Sequence, residues 1–205
     1  MPLPAAEIAR RHAAFLALHA RPGAFVIPNP WDAGSARLLA ALGFEALATT
    51  SAGFAFSRGR RDSAAALGRD GVLANARDIV VATALPVSAD LENGFGHAPE
   101  ACAATVRAAA DLGLVGGSIE DATGDPADPI YPFEAAVARI RAAAQAVADR
   151  PFVLTARAEN FLWGRPDLAD VIARLRAFEA AGAEVLYAPG LPDLDAIRAV
   201  CAAVR

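Results

Sequence analysis

Two stretches of the sequence concentrate groups able to handle a metal ion or a small acid. In LPVSADLENGFG, residues 85–96, an apolar run ends in Asp90 and Glu92 follows two positions later. Side chains two apart on an extended chain point the same way, so the two carboxylates project together. Hard divalent cations such as Mg²⁺, with Mn²⁺ as the alternative ion, take one or two such carboxylates plus waters and substrate oxygens. Gly94 and Gly96 let the loop fold tightly around an ion. Taken alone, the pair reads equally well as caps for a helix beginning near Pro99. It is not alone, because GGSIEDATG, residues 116–124, adds Glu120 at the end of the next apolar run, with Asp121 beside it to ionise or cap. Three converging carboxylates repel one another and shift their pKa values unless a positive charge joins them.

Two sources of positive charge or of N–H donors are available. Arg157, in LTARAEN, offers a planar fork that binds a carboxylate bidentately, and a salt bridge to Glu120 that neutralises the acid cluster is compatible with that role. In TTSAGFAFSRGRRDS, residues 49–63, Ser51, Ala52 and Gly53 either turn successive backbone N–H groups toward an anion or form an ordinary turn. Asp62 lies farther along that segment, where it either folds over the site or is simply solvated. Histidine adds little: His12 and His19 fall in an opening helix, and His97 reads as a loop residue. No Ser/His/Asp arrangement or Cys/His cluster emerges, which leaves metal-assisted chemistry on a bound oxyacid.

Composition narrows the classes further. All 19 basic residues are arginine. A Schiff-base aldolase, a pyridoxal-phosphate enzyme and a P-loop ATPase each need a lysine, so all three are excluded in their usual forms. The formal charge of −4, with both signs interspersed, provides no basic stripe for nucleic acid. Cys102 and Cys201 lie in Ala-rich helical stretches without CxxC spacing, so both read as core residues of a reduced, cytoplasmic protein. The N-terminal stretch has no signal-peptide core and no run of 18 apolar residues occurs, so the chain reads as soluble, unexported and without a membrane partner.

The elements that position these groups follow a βαβ rhythm. After an opening helix over about Ala5 to Leu18, apolar runs at Phe25–Pro28, Ala46–Thr50, Val87–Asp90, Gly117–Glu120, Phe152–Ala156 and Val185–Ala188 alternate with helical segments. Those helices begin near Asp32, Arg69, Pro99, Phe133, Pro166 and Asp193, and Gly43, Gly113 and Gly182 stand where left-handed C-caps are needed. Polar residues gather at the C-terminal ends of nearly every strand: Asn29, Thr50, Asp90, Glu120, Arg157, Glu159 and Tyr187. A closed barrel aims all of these at one mouth, and no GxGxxG follows the first strand, so a parallel (β/α)₈ TIM-type barrel is expected over a doubly wound sheet. About six units are legible in a single domain over residues 1–205, whereas eight usually take about 250 residues. The expectation is that units seven and eight are missing through truncation or disorder, and that the native state is a homodimer or homotetramer because open strand edges associate.

The segments PNPWDAGSARLLAALGFEALATTSAG, LPVSADLENGFG, GGSIED and LTARAEN, in this order and spacing, resemble the isocitrate lyase/phosphoenolpyruvate mutase superfamily from about Gly23 to Leu191. The resemblance implies an oligomeric (β/α)₈ barrel that makes or breaks C–C or P–C bonds next to a 2-oxo acid. It assigns Asp90 as the direct Mg²⁺ ligand and Glu92, Glu120 and Asp62 as the acids holding its waters. Ser51, Ala52 and Gly53 then cradle the substrate carboxylate together with Arg157. There are three departures from the pattern. The lyases' Lys-Lys-Cys-Gly-His loop is replaced by ATGDPADPIYPFE, their Pro-Glu pair after strand six by YAPGLPD, and the phosphonate enzymes' DxD by DLE. The implied activity is a Mg²⁺-dependent lyase acting on a small 2-oxo or 2-hydroxy acid through a metal-stabilised enolate. The alternatives are P–C chemistry of the mutase or phosphonopyruvate hydrolase kind, and a homologue that binds a 2-oxo acid without turning it over.

Overall fold

Strong local start signals set most of the helices in the computed structural model, which describes residues 3–62 and 67–204. The opening helix α1 spans Ala5–Ala20. Asp32 caps α2 (Ala33–Ala41) by accepting from the Ser35 N–H, while the Ser35 hydroxyl returns to the Asp32 backbone as a capping box. Asp167 and Asp193 cap α7 (Leu168–Ala180) and α8 (Leu194–Ala203) in the same acidic manner. Proline at the first position starts α5 (Pro99–Asp111). Two further long helices, α4 (Gly68–Ala82) and α6 (Phe133–Val147), complete the outer layer, and α3 (Ser51–Ser57) is a short helix after the first strand.

The strands are β1 (Leu47–Ala48), β2 (Val87–Asp90), β3 (Gly116–Glu120), β4 (Val153–Arg157) and β5 (Val185–Tyr187). All pair in parallel and in sequence order, the order of a singly wound β/α barrel rather than of a doubly wound sheet. The resulting curled sheet with helices along its outer face is an α/β half-barrel of the (β/α)₈ kind. The run expected as a first strand, Phe25–Pro28, is not one. It stays beside β1 through a bond from the Ala48 N–H to the Pro28 carbonyl, and Asn29 Nδ2 next to it donates to the Ala48 carbonyl. Pro28 and Pro30 have no N–H to give, which shortens any ladder there.

A continuous apolar core fills the space between the sheet and α4 to α7, including Leu91, Cys102, Val106, Ile119, Ile140, Leu154 and Phe178. A second cluster seats Phe15 and Leu18 of α1 against Ala46, Val115 and Val153, so α1 plugs the end where the strands begin. Arg11 secures that plug by donating to the Val80 carbonyl at 3.0 Å. Cys102 is packed as expected, but Cys201 is exposed, because α8 at the margin of the sheet buries only Ala196. No helix among the described residues is long and apolar enough to cross a membrane.

Gly117 shows how tightly β3 is packed. A Cβ there would stand 2.8 Å from both Leu91 Cδ1 and Phe152 Cζ. Gly117→Ala is therefore expected to lose about 1–3 kcal/mol of stability by overpacking, read as a lower urea midpoint with an unchanged slope.

Candidate functional site

Strand register brings the acids together. Glu120 is the direct neighbour of Arg157, and Arg157 of Tyr187, while Asp90 pairs with Ser118 at the end of β2. Because β2, β3 and β4 are adjacent and parallel, with Asp90 level with Ser118 and Glu120 level with Arg157, two carboxylates and a guanidinium share the C-terminal mouth. Below it opens a cavity of about 660 Å³ whose lining includes Thr49, Ser51, Ala52, Asp62, Asp90 and Arg157. Phe15, His19 and Phe25 form its floor, with the imidazole packed edge-on between the two phenyl rings.

Asp90 is held from several directions. Its Oδ2 accepts the Ser51 N–H at 3.0 Å and the Ser51 hydroxyl at 2.7 Å, and its own N–H donates to the buried Thr49 hydroxyl. Its Oδ1 accepts the Glu92 N–H at 3.3 Å and faces Arg157 Nη1 at 3.4 Å. Arg157 also reaches Glu120 Oε2 at 3.5 Å through Nη2 and Glu159 Oε1 at 2.8 Å through Nε. The salt bridge between Glu120 and Arg157 foreseen as an alternative is thus present, as one arm of a larger network. The Tyr187 ring stands 5.3 Å from the same guanidinium.

The electrostatics follow from one cation among several anions. Burial would lower the Arg157 pKa, but Glu159, Asp90 and Glu120 outweigh it and raise it above the ordinary value. Burial pushes Glu120 well above the usual carboxylate range. Arg157 pulls it back, while Glu159, Asp90 and Glu92 push it further. Glu159 is raised chiefly by burial against the pull of Arg157. Desolvation and then Asp90 raise Asp62 at the cavity rim, and Arg157 opposes them.

Ser51, Ala52 and Gly53 form the first turn of α3 rather than an open nest. Ser51 gives its N–H to Asp90, and Gly53 gives its own to the Thr50 hydroxyl that caps the helix. Ala52 keeps an N–H without a partner among the described residues and lines the cavity. Glu92, 8 % exposed, has a left-handed backbone at φ 47°, and its carbonyl accepts the Glu120 N–H, which ties the acidic loop to β3. Asp121 points away from the mouth. It accepts the Glu159 N–H at 2.8 Å and pairs with Arg174 at 3.1 Å.

Two contributors carried no assigned role in the sequence. Glu159 was visible only as a polar residue at a strand end, although its place two residues after Arg157 in LTARAEN repeats the spacing of Asp90 and Glu92. Thr49, which fixes the Asp90 backbone, gave no signal.

The donor chemistry suits a hard divalent ion, because every candidate ligand is a carboxylate oxygen and the acids outnumber the single arginine. Among the described residues no three carboxylate, imidazole or thiol groups are placed to grip one ion together. Mg²⁺, which commonly keeps several waters and uses one or two carboxylates, does not need such a cage.

Comparison with known proteins identifies the family. The family model described as phosphoenolpyruvate phosphomutase matches residues 15–205. The 2-methylisocitrate lyase of Escherichia coli K12 is 34 % identical over 142 residues, covering 66 % of this chain and 47 % of the lyase. The chain thus spans about half the length of that relative. A solved structure of a candidate lyase/mutase from Burkholderia cenocepacia J2315 is 61 % identical, with a TM-score of 0.93 over 97 % of this chain and 71 % of that one. Oxaloacetate acetylhydrolase in complex with its product oxalate is 29 % identical, with a TM-score of 0.85 over 97 % of this chain and 68 % of that one.

The buried Asp121 makes stability depend on pH. Burial raises its pKa from 3.8 to about 6, against the Glu159 N–H and Arg174. Between those values the native state keeps a proton that the unfolded chain has lost, so this carboxyl makes stability fall as pH rises through the window. Asp121→Asn is expected to remove that slope, measured as urea midpoints across the same pH range.

Proposed function

This chain belongs to the phosphoenolpyruvate phosphomutase family, and on that premise we propose that it is a divalent-metal-dependent carbon–carbon lyase for a small 2-oxo or 2-hydroxy carboxylic acid. The observation that carries the reading is Asp90. It is a carboxylate fixed by two donors of Ser51 and set opposite Arg157 above an open cavity. Relatives named 2-methylisocitrate lyase and oxaloacetate acetylhydrolase support the choice of cleavage at carbon.

In this proposal Asp90 holds Mg²⁺ directly, or Mn²⁺ in its place, while Glu92, Glu120 and Asp62 hold the ion's waters. When bound, the ion supplies Lewis-acid polarisation of the substrate's 2-oxo oxygen. Arg157 clamps the substrate carboxylate with its planar fork, and its raised pKa keeps it charged throughout. Ala52 offers its unspent N–H beside that carboxylate, with Ser51 and Gly53 shaping the turn around it. Gly53 cannot be enlarged without disturbing that turn, since a Cβ would stand 2.7 Å from Thr50 Cγ2. Glu120 and Asp62, both shifted toward the protonated form, are the groups suited to holding or moving a proton at the mouth. A cytoplasmic setting fits two unpaired thiols.

The test is a panel of oxo acids assayed with Mg²⁺ and again with a chelator. Pyruvate release from C4 acids that stops on metal removal supports the lyase. Phosphate release from phosphonopyruvate would replace it with P–C chemistry, and saturable binding without product would replace it with a non-catalytic binding protein. Asp90→Ala is expected to lose more than about 100-fold in both metal affinity and turnover while keeping its far-UV circular dichroism. Unchanged Mg²⁺ affinity in that variant would reject the assignment of this strand end.

A further inference from the structure

Arg139, on α6, lies outside the mouth and is only 1 % exposed. A guanidinium taken this far from water is costly unless its donors are used. Its Nη1 and Nη2 donors go to one short stretch of chain, while the buried Nε has no hydrogen-bond partner among the described residues. Nη1 gives to the Gly96 carbonyl at 2.8 Å and also to that of His97, and Nη2 gives to the carbonyl of Asn93. All three carbonyls belong to the loop that follows Asp90 and Glu92. The charge is further balanced by the face of Tyr131, whose centroid is 4.1 Å from the guanidinium carbon. The Tyr131 hydroxyl in turn meets His97 Nδ1 at 2.8 Å, so arginine and tyrosine grip the same loop end.

The loop needs such a grip. Glu92 and Phe95 have φ of 47° and 59°, a left-handed conformation unfavourable for residues with a Cβ. Gly94 lies so close to α5 that a Cβ would stand 2.9 Å from Cys102 Sγ, and its carbonyl accepts the Thr105 hydroxyl at 2.9 Å. Asn93 Nδ2 donates to the Thr123 carbonyl at 3.0 Å. These contacts press the loop against α5 and the β3–α6 connection, and Arg139 supplies the link to α6. A single planar fork that satisfies several carbonyls of a left-handed turn fixes its course in a way that a lysine's point charge does not.

We propose that Arg139 is a positioning residue that sets the course of the Glu92–His97 loop and thereby the ion-binding geometry of Asp90 and Glu92. The inference rests on the metal reading above for its consequence, but not for its geometry.

Two readouts separate the two. Hydrogen exchange on the full chain reports the loop directly, and electron paramagnetic resonance of added Mn²⁺ reports the site without reference to turnover. In Arg139→Met, amides of residues 93–97 are expected to lose about tenfold or more in protection while those of β3 and β4 keep theirs, and Mn²⁺ affinity is expected to fall by about tenfold. Arg139→Lys, which retains the charge and serves as the second variant where the methionine one does not fold, is expected to show the same selective loosening to a smaller extent. Unchanged loop protection in either variant, or protection lost evenly across the whole sheet, would overturn the proposal. Selective loosening of the loop in a protein whose wild type binds no Mn²⁺ would uphold the positioning role of Arg139 and reject the metal reading.

Discussion

The mouth of this half-barrel depends on one guanidinium among carboxylates. Asp90, Glu120 and Glu159 all lie within 3.5 Å of Arg157, and without it they could not remain together in a partly desolvated place. The arrangement constrains the rest of the sheet. Arg157 must end β4 in register with Glu120 on one side and Tyr187 on the other, and a slip of one residue would turn it to the opposite face. Gly116 and Gly117 permit that register, because a side chain at either would collide with neighbours.

The same chemistry recurs away from the mouth, in a chain whose every cation is arginine. Arg11 binds main-chain carbonyls to join α1 to α4, Arg139 does so to join α6 to the acidic loop, and Arg174 spans Asp121 and the Tyr131 carbonyl. All three are buried, at 4 %, 1 % and 7 % exposure. Burying a lysine at these points would leave fewer directed donors for the same desolvation. The guanidinium's spread charge and several N–H groups make it the better buried cross-brace. The absence of lysine, read from the sequence only as excluding certain covalent chemistries, is also consistent with how this fold is fastened.

The parts of the molecule legible in the sequence are those set by local pattern. Asp32, Pro99 and Asp193 announced their helices, and apolar runs ending in Asp90, Glu120 and Arg157 announced their strands, because capping and period act within a few residues. Phe25–Pro28 looked like a strand by composition, but pairing is a tertiary property and the flanking prolines limit the ladder. Ser51–Gly53 read as a backbone cradle for an anion or as an ordinary turn, whereas the Thr50 cap and the pull of Asp90 on the Ser51 N–H begin a helix there. Thr49 and Arg139 were invisible for the same reason. A threonine in a strand and an arginine in a helix have ordinary local readings, and only the partners 41 and 42–46 positions away give them meaning.

The loop after β3 sharpens the chemical consequence. It closes on itself: Ala122 bridges to Ile130, the Thr123 N–H reaches the Pro129 carbonyl, and Asp125 accepts the Ala127 N–H at 2.9 Å. The Thr123 and Asp125 side chains are thus engaged in shaping the turn, and the loop carries neither thiol nor amine. For the proposed reaction, proton handling therefore rests with the strand ends. Burial holds Glu120 and Glu159 above the ordinary carboxylate range, and desolvation does the same for Asp62 at the rim. Of these, Glu159 is bound to Arg157 at 2.8 Å and its backbone to Asp121, so it is fixed in place as an anchor. Among the described residues the Glu120 side chain makes a longer 3.5 Å contact to the same arginine, and Asp62 lines the cavity. The less tightly held pair can change protonation without dismantling the network that keeps Arg157 in position.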